Sequence, residues 1–284
     1  MFPFQGFIIR AMNIHTRAIL PILLLLGSCT FTGPRPSSFI EDSQRALADI
    51  LDESEALFPV RPEMPTYEAL HQLTPEQLSE FIAYIDDPRR NHIERHQRVY
   101  DYLKLLTDRF DYYEQTLPAS DALAIESGNC MTLAVLTTAL AHAAGIEIGY
   151  RLMEDLPVFQ YQGNTVVKGV HLSTILYKTG WVPPESDVLF VRRPGLQVDY
   201  FPSSRTTMKA NVEERDYLAM YFQNLAVESL EQEDLDAAYW YARESLSFDP
   251  LHSPAINTLA VVHRRKGELV QAERLYHFGI SRTD

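Results

Sequence analysis

Cys130 is the residue of this chain whose surroundings most strongly indicate chemistry. Ser127-Gly128-Asn129 before it favours a turn, and the apolar stretch from Thr132 to Ala144 after it holds no proline or glycine, as a buried helix requires. Gly145 fits the left-handed position that ends a helix. A thiol in a first helical turn lies at the positive end of the helix dipole, which favours the thiolate, and beside N–H groups that could bind an oxyanion. The pattern indicates a nucleophile, with a small buried hydrophobic residue as the alternative.

A histidine and an aspartate lie on period-two segments that follow this helix. Residues 146 to 152 and 169 to 177 alternate as strands do, and a third strand candidate covers residues 196 to 201. His171 lies in the second segment and Asp199 in the third. Each residue also has an ordinary interpretation, His171 as a satisfied strand histidine and Asp199 as a turn former at a strand end.

Four short segments make residues 108 to 207 resemble the transglutaminase-like, papain-related cysteine superfamily. They are Ser127-Gly128-Asn129-Cys130, Ala144-Gly145-Ile146, Gly169-Val170-His171 and Val198-Asp199-Tyr200. The resemblance implies an α+β fold with Cys130, His171 and Asp199 as a catalytic triad. Two positions differ from the usual family pattern: Leu172-Ser173 stands where tryptophan is common after the histidine, and Tyr200 stands where proline often follows the aspartate.

The three residue types fit the roles of such a triad. Cys130 would attack an amide carbonyl as thiolate, His171 would carry its proton to the leaving amine, and Asp199 would fix the imidazole tautomer. The amide N–H of Cys130 is the expected first oxyanion donor. The sequence does not identify the second donor, although three polar residues lie on the appropriate side of the cysteine: Tyr112, Tyr113 and Gln115. Water and amine acceptors use the same acyl-enzyme, so peptidase, amidase and acyltransferase activities all stay open.

The remaining histidines give weaker indications. Residues 91 to 106 are predicted to be helical, which would place His92 and His96 one turn apart. A zinc-protease motif requires glutamate directly after the first histidine, but Ile93 is there, so a half-exposed polar pair is the preferred interpretation. His142 is expected to serve packing or lie at the surface. We predict no metal ion and no cofactor.

The N-terminal segment has the order of a secretory signal. From Met12 to Cys29 it has a short basic region, an apolar run from Ala18 to Leu26, and small residues before the cysteine. The run is short for a bilayer span, so a transmembrane helix is the weaker interpretation. Leu26-Gly27-Ser28-Cys29 resembles the bacterial lipobox, which implies lipidation of Cys29 and, with Thr30 next, an outer-membrane anchor facing the periplasm. Met12 is then a candidate true start, and Cys130 has no second cysteine with which to form an intramolecular disulfide.

A period of 34 residues near the C-terminus predicts paired helices. Asn224-Leu225-Ala226 recurs as Thr258-Leu259-Ala260, and a proline closes the first unit at Pro250. This pattern resembles the tetratricopeptide repeat, and two units are too few to cover their own apolar faces. We expect the first unit to dock on the preceding domain through Tyr217, Met220 and Tyr221. The second is expected to bind a protein partner or a second copy through an uncovered apolar set: Tyr276, Phe278 and Ile280.

Composition and segment order complete the prediction. The 284 residues, 46% of them hydrophobic, suffice for one large or two modest domains. A formal charge of -13 argues against nucleic acid as a partner. The predicted segments are a signal peptide with lipobox (1-29), a tether (30-38), a helical N-terminal region (39-107), a transglutaminase-like domain (108-210) and two tetratricopeptide repeats (214-284).

The sequence therefore predicts a membrane-anchored periplasmic Cys-His-Asp enzyme. It would cleave or transfer an amide or peptide acyl group through a thioester, with a protein or peptide as substrate. The alternative is a catalytically idle transglutaminase-like scaffold whose repeats bind a protein partner, because a fold alone does not guarantee chemistry.

Overall fold

The computed structural model describes residues 37–112, 115–162, 165–183, 193–200 and 206–281. The predicted signal peptide and the lipobox Cys29 lie outside these ranges, as does the tether up to residue 36. None of the helices in the described ranges combines the length and apolar character that crossing a membrane requires.

The architecture is mixed α and β with a helical C-terminal region, in agreement with the predicted class. The helices are α1 (Ser37–Asp52), α2 (Tyr67–His71), α3 (Pro75–Ile85), α4 (Arg95–Thr107), α5 (Ala119–Ile125), α6 (Cys130–Ala143), α7 (Glu214–Glu231), α8 (Leu235–Phe248), α9 (Ser253–Lys266) and α10 (Leu269–Ile280). The strands are β1 (Asp111–Tyr112), β2 (Ser127–Gly128), β3 (Ile148–Gln162), β4 (Thr165–Tyr177), β5 (Gly195–Val198) and β6 (Thr206–Val212).

The larger sheet has the order β5-β4-β3-β6, and all its neighbouring strands are antiparallel. The predicted strands correspond to β3, β4 and β5, although β3 and β4 extend further than expected into one long hairpin. The edge strand β6 was not predicted. A second, two-stranded sheet pairs β1 with β2 in parallel.

Helix α6 is the centre of the first core. Every residue from Met131 to Ala141 is buried, as expected for a helix that is apolar on all sides. One side of α6 packs on the sheet, where the Thr138 hydroxyl lies 3.0 Å from the Tyr150 hydroxyl. Helices α2 to α5 and α7 enclose the rest. The nucleophile candidate is therefore carried on the most enclosed helix of the described structure.

The C-terminal region joins this core through α7. Tyr217 and Tyr221 are buried in the same cluster as α6, and half-buried Met220 packs against it, so the predicted docking contacts are present. The Tyr217 ring stacks on Tyr150 of β3 with centroids 4.7 Å apart. Helix α7 is thus a structural part of the first core.

A second core joins the N-terminal helix to α8, α9 and α10. The Tyr239 hydroxyl donates to the Leu51 carbonyl at 3.0 Å, and the Trp240 indole donates to the Phe58 carbonyl at 2.9 Å. The N-terminal region predicted as one unit therefore divides, with α1 on this core and α2 to α4 on the first.

This packing corrects the prediction that the outer apolar set is uncovered. Phe278 is only 8% exposed, because it packs in the core that α1 helps to form, and Tyr276 packs against the same core. Ile280 remains 66% exposed. The sequence pattern of the repeats contained no information about α1, which lies more than 200 residues earlier in the chain.

His71 lies half-buried where α2 meets α7, and its two ring nitrogens have different roles. Nδ1 lies 2.8 Å from the Tyr67 carbonyl, which only accepts, so Nδ1 carries the proton. Nε2 then accepts from the Tyr217 hydroxyl at 2.9 Å. Burial lowers the pKa of His71, and nearby His142 lowers it further. The folded state therefore holds His71 neutral.

We expect His71 to make stability fall on acidification. Histidine in an unfolded chain has a pKa of about 6.5, so below this pH the unfolded state binds a proton at His71 that the folded state does not. The free energy of unfolding then falls by up to about 1.4 kcal/mol per pH unit. A His71→Gln variant should lose this contribution, so its free energy of unfolding should fall less between pH 7 and pH 5.5. Urea titrations at both pH values provide the measurement, and equal losses in both proteins would contradict the assignment.

Candidate functional site

Cys130 is the first residue of α6, and a set of local bonds fixes its position. The Asn129 side chain accepts from the Thr132 N–H at 2.9 Å, which caps the helix. Gly128 has a φ of +149°, and the predicted left-handed Gly145 has a φ of +63°. The helix therefore begins and ends close to where the sequence predicts.

Four groups near the Cys130 sulfur stabilise its thiolate form. They are the backbone N–H groups of Cys130, Met131 and Leu172 and the side chain of Tyr112. Tyr112 reaches the sulfur because β1 pairs with β2 next to Cys130, with Tyr112 opposite Gly128. An oxygen bound near the sulfur would meet N–H and O–H donors from three separate elements.

Of the two candidates for the second oxyanion donor that the structure describes, Tyr112 is the one whose side chain stabilises the Cys130 thiolate. Tyr113 lies outside the described residues. Gln115 contributes through its backbone, because its carbonyl accepts from the Asn129 N–H at 3.2 Å and from the Thr132 hydroxyl at 2.9 Å. Gln115 thus supports the start of α6.

Burial raises the pKa of the Cys130 thiol above its usual value. The three N–H groups and Tyr112 act in the opposite direction, since they stabilise the thiolate, but desolvation is the larger effect. This corrects the expectation that the helix start by itself favours the thiolate. A base is therefore needed to produce the nucleophile at neutral pH.

His171 and Asp199 form a direct pair across β4 and β5. Thr174 lies opposite Val198, so Asp199 follows the end of β5 and lies diagonally across from His171. The His171 Nε2 lies 3.2 Å from the Asp199 Oδ1. Their side chains are 9% and 19% exposed, so water screens the pair weakly.

Strand alternation determines how the pair lies relative to the cysteine. The Leu172 N–H lies near the Cys130 sulfur, where it stabilises the thiolate, and Leu172 directly follows His171. The His171 side chain leaves the strand on the opposite face from Leu172. The structure therefore pairs His171 with Asp199. Cys130 lies near the backbone of the next residue, Leu172, where β4 extends past the last residue of β5.

Hydrogen bonds from Tyr200 link the sheet, at the end of β5, to α6. Its hydroxyl lies 2.5 Å from the Thr137 hydroxyl and 3.1 Å from that of Thr174, and it donates to the Leu133 carbonyl at 3.1 Å. These bonds give Tyr200 a structural role at the end of β5. They also hold Asp199, the preceding residue, at a fixed distance from α6.

A cavity of about 340 Å³ lies between α4 and the end of β5, and Asp199 is part of its wall. The other lining residues include aromatic, aliphatic, hydroxyl and charged side chains: Tyr100, Leu103, Lys104, Thr107, Asp108, Val198 and Tyr200. Lys104, Asp108 and Asp199 make the wall of this cavity partly charged.

The other histidines lie away from this site. Helix α4 begins at Arg95 rather than near residue 91, so His92 lies in the preceding turn and the expected helical pair with His96 is absent. No group of three or more His, Cys, Asp or Glu side chains in the described ranges is placed to hold a metal ion. His142 lies exposed at the far end of α6, 6.0 Å between ring centroids from His71.

Two residues near the nucleophile were missed by the sequence analysis. The carboxylate of Glu228, on α7, accepts from the Thr116 N–H at 3.0 Å, and the Thr116 hydroxyl accepts from the Asn129 amide at 2.7 Å. No local motif marks either residue: the contacts of Glu228 with Thr116 and Asn129 span more than 90 residues, and the contact of Thr116 with Asn129 spans 13. Only the fold brings them together.

Comparison of the chain with protein-family models, with curated proteins and with solved structures gave no match.

Proposed function

We propose that this protein is a transglutaminase-like cysteine enzyme that acts on an amide or peptide bond through a thioester on Cys130. The observation that carries the proposal is the 3.2 Å pair of His171 with Asp199, one residue from Leu172, whose N–H stabilises the Cys130 thiolate. The α+β class and the order of the three residues along the chain support the same family.

In the proposed first step, His171 activates the thiol. Nε2 is engaged by Asp199, so Nδ1 is the nitrogen that would take the proton from the sulfur. The thiolate then attacks the carbonyl carbon. The N–H of Cys130 and the Tyr112 hydroxyl stabilise the negative oxygen that forms.

Collapse of this intermediate breaks the C–N bond. The amine leaves with the proton from His171, and a thioester joins the acyl group to Cys130. Water or a second amine then attacks the thioester while His171 accepts its proton, which releases the acid or a new amide. Asp199 stabilises the imidazolium in both halves of the cycle.

The proposal also includes the location and the C-terminal helices. Lipidation of Cys29 would anchor the protein in the outer membrane, facing the periplasm. Helices α7 to α10 pack as successive neighbours joined by short turns, which supports the resemblance to tetratricopeptide repeats and a role in binding a protein partner.

The second candidate is an idle scaffold with the same fold. The raised pKa of Cys130 favours it, because a buried thiol without an effective base is unreactive.

Trapping of the acyl-enzyme distinguishes the two candidates. The full chain is incubated with an activated acyl ester and digested, and mass spectrometry locates the adduct. We expect one acyl group on the peptide that contains Cys130, removable by hydroxylamine and missing in Cys130→Ser. Acylation of Cys130 no faster than that of the unfolded chain would favour the scaffold.

A further inference from the structure

Glu228 extends from the C-terminal helices into the loop that supports the nucleophile. It lies near the end of α7, a helix that the sequence analysis assigns to a repeat. Its Oε1 accepts from the Thr116 N–H at 3.0 Å and lies 3.5 Å from the Asn129 amide nitrogen. Both contacted residues come from the first core.

These contacts continue to the first turn of α6. Asn129 caps the helix through Thr132, and the Thr132 hydroxyl donates to the Gln115 carbonyl at 2.9 Å and accepts from the Leu117 N–H at 2.9 Å. Residues 115–117 and the helix start are therefore bonded to each other in both directions. Glu228 is the member of this network that α7 contributes.

We infer that Glu228 is a positioning residue for Cys130, which it holds in place through Thr116 and Asn129. The inference rests on the proposed function, in which Cys130 is the nucleophile. In this role Glu228 makes α7 a part of the site, in addition to any role that α7 has in binding partners.

The chemistry of the contact supports a positioning role. A carboxylate is a stronger acceptor than a neutral oxygen, so its bond to the Thr116 N–H restrains the loop more firmly. Removing the carboxylate would leave the Thr116 N–H without its acceptor in a part-buried place, and the Asn129 amide with its bond to the Thr116 hydroxyl alone. The Thr116 N–H would recover an acceptor by moving toward water. Burial raises the pKa of Glu228, and the Thr116 N–H bond opposes this change.

Three variants of the full chain separate this role from general stability. Glu228→Ala removes the acceptor, Glu228→Gln retains an acceptor oxygen without the charge, and Glu231→Ala removes an exposed carboxylate from the last turn of the same helix. Each is measured for hydrogen exchange in residues 115–117 and 129–132, for iodoacetamide alkylation of Cys130, and for its melting temperature.

We expect Glu228→Ala to lose exchange protection in both segments and to alkylate Cys130 on the order of tenfold more slowly than wild type, as a misplaced reacting group does. Glu228→Gln should recover most of both values, and Glu231→Ala should match wild type. Equal losses in Glu228→Gln and Glu228→Ala at matched melting temperatures would overturn the inference, because acceptance by the oxygen would then be irrelevant.

The two readouts keep this inference distinct from the proposed function. If wild-type Cys130 alkylates no faster than an unfolded thiol, the proposed enzyme fails, while the exchange pattern still reports whether Glu228 holds the loop. Lost protection with an unchanged alkylation rate would overturn the positioning role. Unchanged protection in Glu228→Ala would overturn the contact itself.

Discussion

Replacing His171 with alanine is expected to slow alkylation of Cys130 at pH 7 by about 100-fold. Burial raises the pKa of this thiol, so without a base less than a few per cent is thiolate at neutral pH. A histidine paired with Asp199 would convert most of the thiol to thiolate. Iodoacetamide labelling followed by mass spectrometry gives the rate at each pH. The variant's rate should continue to rise up to alkaline pH, whereas the wild-type rate should level off near neutrality.

The matched control is His142→Ala, which removes an exposed histidine from the other end of the same helix. Its pH profile should coincide with that of wild type. A His171→Ala profile that also coincides with that of wild type would eliminate the triad, whether or not His171 and Asp199 are paired in the wild-type protein. The result therefore decides between the enzyme and the scaffold independently of any substrate.

Replacing Gly128 with alanine should destabilise the fold by about 3 kcal/mol or more. The φ of +149° is a conformation that residues with a side chain rarely adopt. A Cβ at this position would lie 2.8 Å from the Thr132 hydroxyl oxygen and closer still to the other Thr132 side-chain atoms. Thr132 has little room to move, because its hydroxyl is bonded to Gln115 and Leu117. Denaturant titration measures the loss.

Gly145→Ala is the natural comparison at the other end of α6. Its φ of +63° carries the ordinary left-handed cost of about 1 kcal/mol, and no atom lies within 4 Å of the added Cβ. The difference between the two variants combines the steric contact with Thr132 and the more restricted φ of Gly128. Equal losses would show that α6 tolerates a displaced first turn.

Local signals explain why the sequence predicted the boundaries of α6 and three of the strands. Asn129 is a good helix cap and Gly145 a good terminator in any context, and alternation along residues 169 to 177 needs no knowledge of neighbours. The pairing of His171 with Asp199 depends on strand register, which the sequence leaves open. The resemblance to a family supplied that step.

The features that were missed or wrongly expected depend on distant packing. The dipole argument for Cys130 considered only its own helix, whereas the pKa depends on how completely the fold buries the sulfur. Glu228 and α1 act on partners far away in sequence, through contacts that no local pattern encodes. For α4, the sequence pattern continued through His92, although the helix begins only at Arg95.

Because α1 packs on the second core, it determines which part of the protein a lipid anchor on Cys29 would hold near the membrane. The seven residues from Thr30 to Pro36 span at most about 25 Å when fully extended. The first residue of α1 would therefore lie within a short reach of a lipid on Cys29, whereas the ion pair of Arg274 with Glu53 at 2.6 Å lies just past the opposite end of this 16-residue helix. Such a lipid would attach the membrane to the second core, through α1, and not directly to the core that contains α6.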